Sequence, residues 1–397
     1  LQYVRHAASG LVFPASLFDL DAFLRDLPNW KAAGRDRLCY EFFKYTAAAS
    51  APLLSMLFAI CWTLPAVPGS WREGVVCPLY KQRGDPLDPD NYRSVTLGSC
   101  MEKMFCHALL RHLTPHIDPN LADEQFGFRP HRGTEPAVLL VNEMLQRHCH
   151  TGCPLYMVFV DLTKAFDHVQ WPILFRKLRE QFAVPNSEIR MIALLYSNIQ
   201  NFVRVEGRLH PASFTATAGV RQGDILSPLL FDVYINDLAV GLRTDGGGPA
   251  QAPPITSPVF RSHQRTRLSS TFYADDFAGL RTSQGGAHTM LETIAAWCRN
   301  NAIHVSLDKT EWLGINVSPD AQLLYKPDEA SAPVPLRRCD TFKYLGVRLS
   351  SNGSWDPEVE YRLDKVRAQL NRHAFFFRNP TIRIHLRLNV FKTLLRP

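Results

Sequence analysis

A chain of 397 residues can bury a large core in two or three subdomains, and 46% apolar against 20% charged residues excludes a disordered polymer. The net charge of +7 is uneven: residues 357–397 carry nine Lys and Arg against three acids, which leaves the rest of the chain near neutrality. Such an end is either a polyanion grip or a solvated basic helix. Nine scattered cysteines argue for a reducing, intracellular compartment (nucleus or cytoplasm) and against a disulfide framework.

In chain order, Phe18–Leu27 and Arg37–Thr46 read as amphipathic helices. Ala47–Val67 carries no charge over 21 positions, which is bilayer length, but Pro52 and Pro65 interrupt it. It reads as a buried helix, Pro52–Leu64, and no membrane partner is expected. Gly74–Tyr80 reads as a strand, and Lys81–Arg93 as a turn-rich loop holding Lys81, Arg83 and Arg93. Ser99–Leu113 reads as a helix stopped by Pro115, Gln125–Gly133 as a second cationic loop with Arg129 and Arg132, and Thr134–Arg147 as a further helix. His148, Cys149, His150 and Cys153 cluster tightly, but no second ligand pair stands at a matching spacing for zinc.

The pattern then turns to strands. Leu155–Val160 (LYMVFV) is an apolar run ending on Asp161, and a carboxylate there is costly unless it exits to a site or a partner. Helices Trp171–Phe182 and Ser187–Ser197 follow, then a hairpin of Asn201–Glu206 and Ser213–Thr217 around Gly207. Gly219–Pro228 (GVRQGDILSP) is a glycine-bounded loop opening a helix, Pro228–Leu242, where backbone N–H groups can approach a phosphate or sugar. Thr244–Ser270 is Gly-, Pro- and Ser-rich and reads as a mobile insertion.

Leu268–Ala274 and Phe277–Arg281 read as a hairpin with the adjacent acids Asp275 and Asp276 at its turn. Alone, that pair could be an ordinary polar tip. Helix Gly286–Asn301, strand Ile303–Ser306, the segment Asp308–Trp312 and the strands of Phe342–Leu349 follow. A helix from Pro357 places Val359, Leu363, Val366, Leu370, Ala374 and Phe377 on one stripe, expected to pack on the body and leave the cations free. The order of elements from Leu155 to Thr310 resembles a ferredoxin-like split βαβ sheet, in which Asp161 and Asp275 can meet.

Three carboxylates on neighbouring strand ends can hold two divalent cations about 3.5–4 Å apart for in-line displacement at phosphorus. Hard oxygen ligands favour Mg2+, with Mn2+ as a substitute. Lys81 and Arg93 could neutralise a triphosphate. The residues thus point to metal-dependent phosphoryl transfer on a polyanion, without naming the reaction.

FVDLTKAFDHV, GVRQGDILSPLLF and FYADD, in this order, resemble motifs A, B and C of reverse transcriptases, closest to those of LINE-type, non-LTR retrotransposons. WREGVVCPLYKQRGDPLDPDNYRSVTL and DEQFGFRPHRGT resemble that family's two upstream blocks, LDKTEWL its motif D and FKYLGVRL its motif E. Departures are Ser94 where Pro is usual, KAAGRDRL without the usual Pro and Gly, and YADD in place of FADD.

The resemblance implies an α+β right-hand polymerase: N-terminal extension and helical fingers in 1–150, a palm in 151–355 with the insertion 244–270, and the start of a truncated helical thumb in 356–397. It implies a piece of a longer reading frame that extends a DNA primer on an RNA template with deoxynucleotides. Asp161, Asp275 and Asp276 would hold two Mg2+ ions. Phe166 would exclude the ribose 2′-hydroxyl, and Gln222 and Gly223 would line the nucleotide site. Lys81 and Arg93 would contact the triphosphate, and Lys309 would donate a proton to pyrophosphate. Two other readings are a decayed or maturase-like RNA-binding protein keeping the fold, which the intact aspartates oppose, and a nucleotide cyclase, which gives no reason for the RQG loop.

Overall fold

The computed structural model describes residues 19–64, 66–82, 84–244 and 269–395, so most of the 244–270 insertion, and Arg83, lie outside the described residues. Short helices α1 (Leu20–Arg25) and α2 (Tyr40–Tyr45) lead into α3 (Ala47–Thr63). The last begins five residues earlier than the sequence suggests and carries Pro52 inside it. No helix among the described residues is long and apolar enough to cross a membrane.

Strands β1 (Glu73–Tyr80) and β2 (Tyr92–Leu97) flank the Lys81 loop, and α4 (Cys100–Ile117) runs through Pro115 rather than stopping before it. Helix α5 (Thr134–Thr151) is also longer than expected and swallows the His/Cys cluster. Its end is closed by Gly152 in the left-handed region and by the Asn316 amide, which donates to the carbonyls of His148 (2.7 Å) and Cys153 (3.2 Å). The cluster is therefore a helix terminus.

Strand β3 (Leu155–Val160) is buried at every residue. Its alternate side chains enter two cores: Tyr156, Val158 and Val160 join one, and Leu155, Met157 and Phe159 the other. That two-sided burial explains an unbroken apolar run where a half-exposed strand would alternate. Next come α6 (Trp171–Glu180), α7 (Asn186–Tyr196), the hairpin β4 (Gln200–Val205) and β5 (Arg208–Thr215), and α8 (Ser227–Thr244). The β4–β5 turn, Glu206-Gly207, has both residues at positive φ, the conformation that a tight two-residue hairpin requires.

β6 (Ser270–Tyr273) and β7 (Asp276–Arg281) precede α9 (Gln284–Asn301) and β8 (Glu311–Ile315). Ile303–Ser306 is not a strand: it contributes a single bridge, Leu162 to Val305, and then turns. The short strands β9 (Leu324–Tyr325), β10 (Val334–Pro335) and β11 (Arg337–Arg338) lead to the hairpin β12 (Thr341–Tyr344) and β13 (Val347–Ser350). Helices α10 (Asp356–Arg372), α11 (Ala374–Arg378) and α12 (Ile384–Leu395) close the described chain.

The central sheet has the order β11-β8-β3-β7-β6, with β8, β3, β7 and β6 antiparallel. In sequence order those four strands are fourth, first, third and second, which is the split βαβ arrangement. Helices α8 and α9 cover one face, while α5 and the β12–β13 hairpin cover the other. Phe159 stacks on Phe342 across that second face at 3.9 Å between ring centroids. Such a pair adds about 0.5–1.5 kcal/mol beyond its buried area.

Two expectations change. The fingers are not helical alone: β2-β1-β4-β5 form a second sheet, with β1 parallel to β4. The β4–β5 hairpin, within 151–355, therefore completes a sheet begun within 1–150, and a boundary drawn along the sequence does not separate the two sheets. The α10 stripe is open at its start, where Val359 is 52% and Leu363 47% exposed, and only half-buried at Val366 and Leu370. Contact is made instead by buried Glu358, which accepts hydrogen bonds from the Arg348 backbone N–H and from Arg362 Nε.

Candidate active site

Asp161 follows the last residue of β3, and Asp276 is the first residue of β7. Val160 pairs with Phe277, so continuing the antiparallel register sets Asp161 opposite Asp276. Asp275 and Ala274 form the two-residue turn between β6 and β7, with Ala274 at φ 55°. Like charges facing each other across a ladder repel. Burial, then the Asp276 and Asp161 charges, push the Asp275 carboxyl from the usual 3.8 up to about 6. Asp276 reaches solvent, yet it too is raised, by the protein around it and then by Asp161.

Lys309 brings the positive charge. Its turn is tied to the first aspartate through the backbone: Ser306 N–H donates to Asp161 O at 2.8 Å, and Thr310 Oγ1 accepts from Asp161 N–H at 3.3 Å. Lys309 Nζ then lies 3.2 Å from Asp161 Oδ2.

Opposite the aspartates, the loop between β5 and α8 docks on the short 3-10 turn after β3. Gly219 N–H donates to Val169 O and Val220 N–H to Phe166 O, both at 2.8 Å. Gly219 has φ 91°, and a Cβ there would sit 2.9 Å from the Asp167 carbonyl oxygen, so only glycine fits. Phe166 stacks flat on Phe231 of α8, at 4.4 Å and 9°. Gln222 O accepts from Thr96 N–H of β2 at 2.8 Å, which joins this loop to the β2-β1-β4-β5 sheet.

One cleft of about 630 Å³ is lined by Lys81, Arg93, Asp161, Phe166, Gln222, Gly223, Asp275 and Lys309. Asp276 lies on its far rim, in a small hollow shared with Asp161 and Lys309. All nine residues that the sequence singles out converge here from seven segments of chain. A cleft of this size suits a small charged ligand.

The donor set fits divalent cations: three hard carboxylates, two with raised affinity for a proton, face one ammonium group. Among the described residues the group with three ligand atoms within 4.8 Å of one another is Glu102, Cys106 and Asp224, behind the loop. There burial and Asp224 push Glu102 up to about 8, and Arg221 already supplies a positive charge 3.7 Å from it.

Gln125 is a supporting residue that charge-based reading overlooks. Its Oε1 accepts from Gly127 N–H (2.8 Å) and from Ala274 N–H (3.1 Å), clamping the Ala274-Asp275 turn. Phe126 N–H donates to Phe272 O and Phe272 N–H to Glu124 O, a single parallel bridge of Gln125 beside β6. The only sequence signal there is a glycine, Gly127, set between two phenylalanines just after Gln125. The arginines nearby are structural. Arg129 is 6% exposed and bonds Asp118 at 2.8 Å, and Arg132 bonds Asp123 at 2.9 Å.

Residues 81–349 match the family described as reverse transcriptase (RNA-dependent DNA polymerase). The chain is 25% identical over 390 residues to the probable RNA-directed DNA polymerase from transposon BS of Drosophila melanogaster, covering 91% of this chain and 39% of that protein. It is 23% identical over 395 residues to the RNA-directed DNA polymerase from mobile element jockey of the same organism, covering 96% and 40%. It is 24% identical over 304 residues to the Pol polyprotein from the type-1 retrotransposable element R2 of Popillia japonica, covering 75% and 40%. The chain thus spans about two fifths of the length of these relatives. Among solved structures, apo telomerase from Candida tropicalis aligns with TM-score 0.46 and 12% identity, over 77% of this chain and 59% of that one.

Two outcomes follow from this geometry. A Cβ at Gly127 would lie 2.4 Å from the Ala274 backbone nitrogen, so Gly127→Ala should shift the turn and lower Tm, measured by thermal denaturation. Asp275 holds its proton more tightly folded than unfolded, so metal-free stability should fall as pH rises from about 4 to 6. Asp275→Asn should remove that decline and raise the metal-free Tm at pH 7.5 by on the order of 1–3 °C. Added Mg2+ should raise the Tm of the parent protein more than that of the variant.

Proposed function

The chain belongs to the reverse transcriptase family, and from that premise we propose that it is an RNA-directed DNA polymerase that extends a primer 3′-hydroxyl with deoxynucleotides in non-LTR retrotransposition. One observation carries the reading: the aspartates, the glycine loop and the cations of the fingers meet on one cleft. The relatives of like name in Drosophila support it.

In this reading Asp161, Asp275 and Asp276 hold two Mg2+ ions, for which Mn2+ can substitute. Bound there, the ions would acidify the primer hydroxyl and neutralise charge at the reacting phosphorus. Lys309, fixed by the turn that bonds Asp161, stands ready to protonate the leaving pyrophosphate. Lys81 and Arg93 hold the triphosphate from the fingers side, Arg93 by its two-pronged guanidinium. Phe166 is stiffened by its stack on Phe231, so it presents a fixed wall beneath the sugar and excludes a 2′-hydroxyl. Gln222 and Gly223 line the floor, and their tie to Thr96 makes the floor move with the fingers.

An RNA template and its DNA primer would be clasped where β12–β13 meets α10. There Lys343, Arg348 and Lys365 surround the ring of Tyr361 within 5.3 Å of its centroid. Contacts of this kind read backbone and shape rather than sequence. We take 1–150 as chiefly fingers, 151–355 as chiefly palm, and 356–397 as the beginning of a thumb. Nine free thiols agree with a reducing intracellular compartment.

The direct test is primer extension on an RNA template with Mg2+. The parent protein should incorporate deoxynucleotides, and Asp275→Ala should lower the rate at least ~10³-fold, the size of a lost electrostatic clamp. A well-folded parent protein that incorporates nothing overturns the assignment. Separately, Phe166→Val should raise ribonucleotide use roughly tenfold or more relative to deoxynucleotide use, read from the ratio of kcat/KM values.

A further inference from the structure

The cleft contains one more cation, Lys164, to which no role has been given. It lies three residues beyond Asp161, in the left-handed region at φ 44°, and its side chain crosses the cleft toward the fingers. Nζ meets Asp90 Oδ1 at 2.8 Å, a partner 74 residues away. The same Asp90 holds a second cation of the cleft, since its backbone carbonyl accepts from Lys81 Nζ at 2.8 Å. One residue of the fingers loop thus occupies a lysine from each wall.

The loop presents Asp90 firmly. Asp88 Oδ1 accepts from Asp90 N–H at 2.9 Å, the Asn91 amide donates to Asp85 O at 3.0 Å, and Tyr92 Oη donates to Pro86 O at 2.8 Å. The loop ends are closed by Lys81 N–H to Asn91 O at 2.8 Å. The ion pair itself is open to water, with side chains 57% and 72% exposed. Pairs of that kind are weakly held and exchange readily. A single carboxylate on one lysine, with a carbonyl on another, is the arrangement that an anion carrying several phosphate oxygens can replace on both at once.

We propose that Lys164 is a ligand of the incoming nucleotide's triphosphate, and that Asp90 is its stand-in anion, released when the triphosphate binds. The inference rests on the polymerase reading for the identity of the ligand. It adds a palm-side cation to Lys81 and Arg93, so that the triphosphate is gripped from both walls. It also makes Asp90 a competitor: an empty cleft keeps its cations paired, and only a ligand with more than one anionic group displaces the acid efficiently.

The test uses the full chain without primer or template, titrated with inorganic tripolyphosphate by calorimetry, beside steady-state extension. Lys164→Gln should weaken tripolyphosphate binding about tenfold and raise the deoxynucleotide KM similarly, with primer–template affinity unchanged. Lys164→Arg should bind like the parent protein. Asp90→Asn should tighten tripolyphosphate binding about threefold, and that gain should vanish in the Lys164→Gln background. Equal binding by Lys164→Gln and the parent protein, or the same gain from Asp90→Asn in both backgrounds, overturns the proposal. Unchanged KM in an active Lys164→Gln enzyme sinks this inference and leaves the polymerase reading standing. The expected tripolyphosphate coupling in a protein that incorporates no nucleotide does the reverse.

Discussion

Everything in the site depends on holding three carboxylates together at the edge of a dry core. β3 is buried on both faces, so Asp161 leaves the sheet where water begins, and the β6–β7 turn brings two more acids to the same edge. Repulsion would spread them, and burial first, then that repulsion, raises the affinity of Asp275 for a proton. What resists it is backbone hydrogen bonding. The Ser306–Thr310 turn grips Asp161 from one side and Gln125 grips the Ala274-Asp275 turn from the other. Each such buried bond contributes only about 1 kcal/mol net, so the scaffold holds by number rather than by any single contact.

The parts legible in the sequence are those whose physics is local or carried by family pattern. LYMVFV reads as a strand from its apolar run of strand length, and its ending on an acid points to a site at that edge. The hairpin acids read as a site only once Asp161 and the glycine loop joined them. What stayed hidden is set by side-chain partners that composition and periodicity do not pair. Arg129 and Arg132 looked like free cations, and their acids, Asp118 and Asp123, come from the preceding turn. The apolar stripe of α10 promised a packed helix, whereas a buried Glu358 makes the contact. Ile303–Ser306 has strand composition but too short a neighbour to pair with, so it ends as a bridge and a turn. Pro52 and Pro115 failed as helix stops because each removes one backbone bond from a helix whose packed face outweighs it.

Charge behaved least locally of all. Counting Lys and Arg along the sequence marks loops as basic, yet their cations divide into those neutralised by buried acids and those left facing the cleft. Only geometry separates the two. The arginines of the QFGFRPHRG loop belong to the first kind, while Lys81, Arg93 and Lys164 line open space. What marks a cationic cleft is thus composition plus topology, and only the first half is readable in a string.

The β2-β1-β4-β5 sheet carries a consequence for synthesis of the chain. β1 pairs in parallel with β4, and Val76 finds Val203 only after β3 of the central sheet has been made. At bacterial or eukaryotic elongation rates of about 5–20 residues per second, that interval is roughly 6–25 s. For that time one edge of β1 stands open in the nascent chain, the kind of edge that recruits other strands. The two sheets therefore mature together, and a ribosome that stalls between β1 and β4 would release an adhesive half-sheet rather than a finished one.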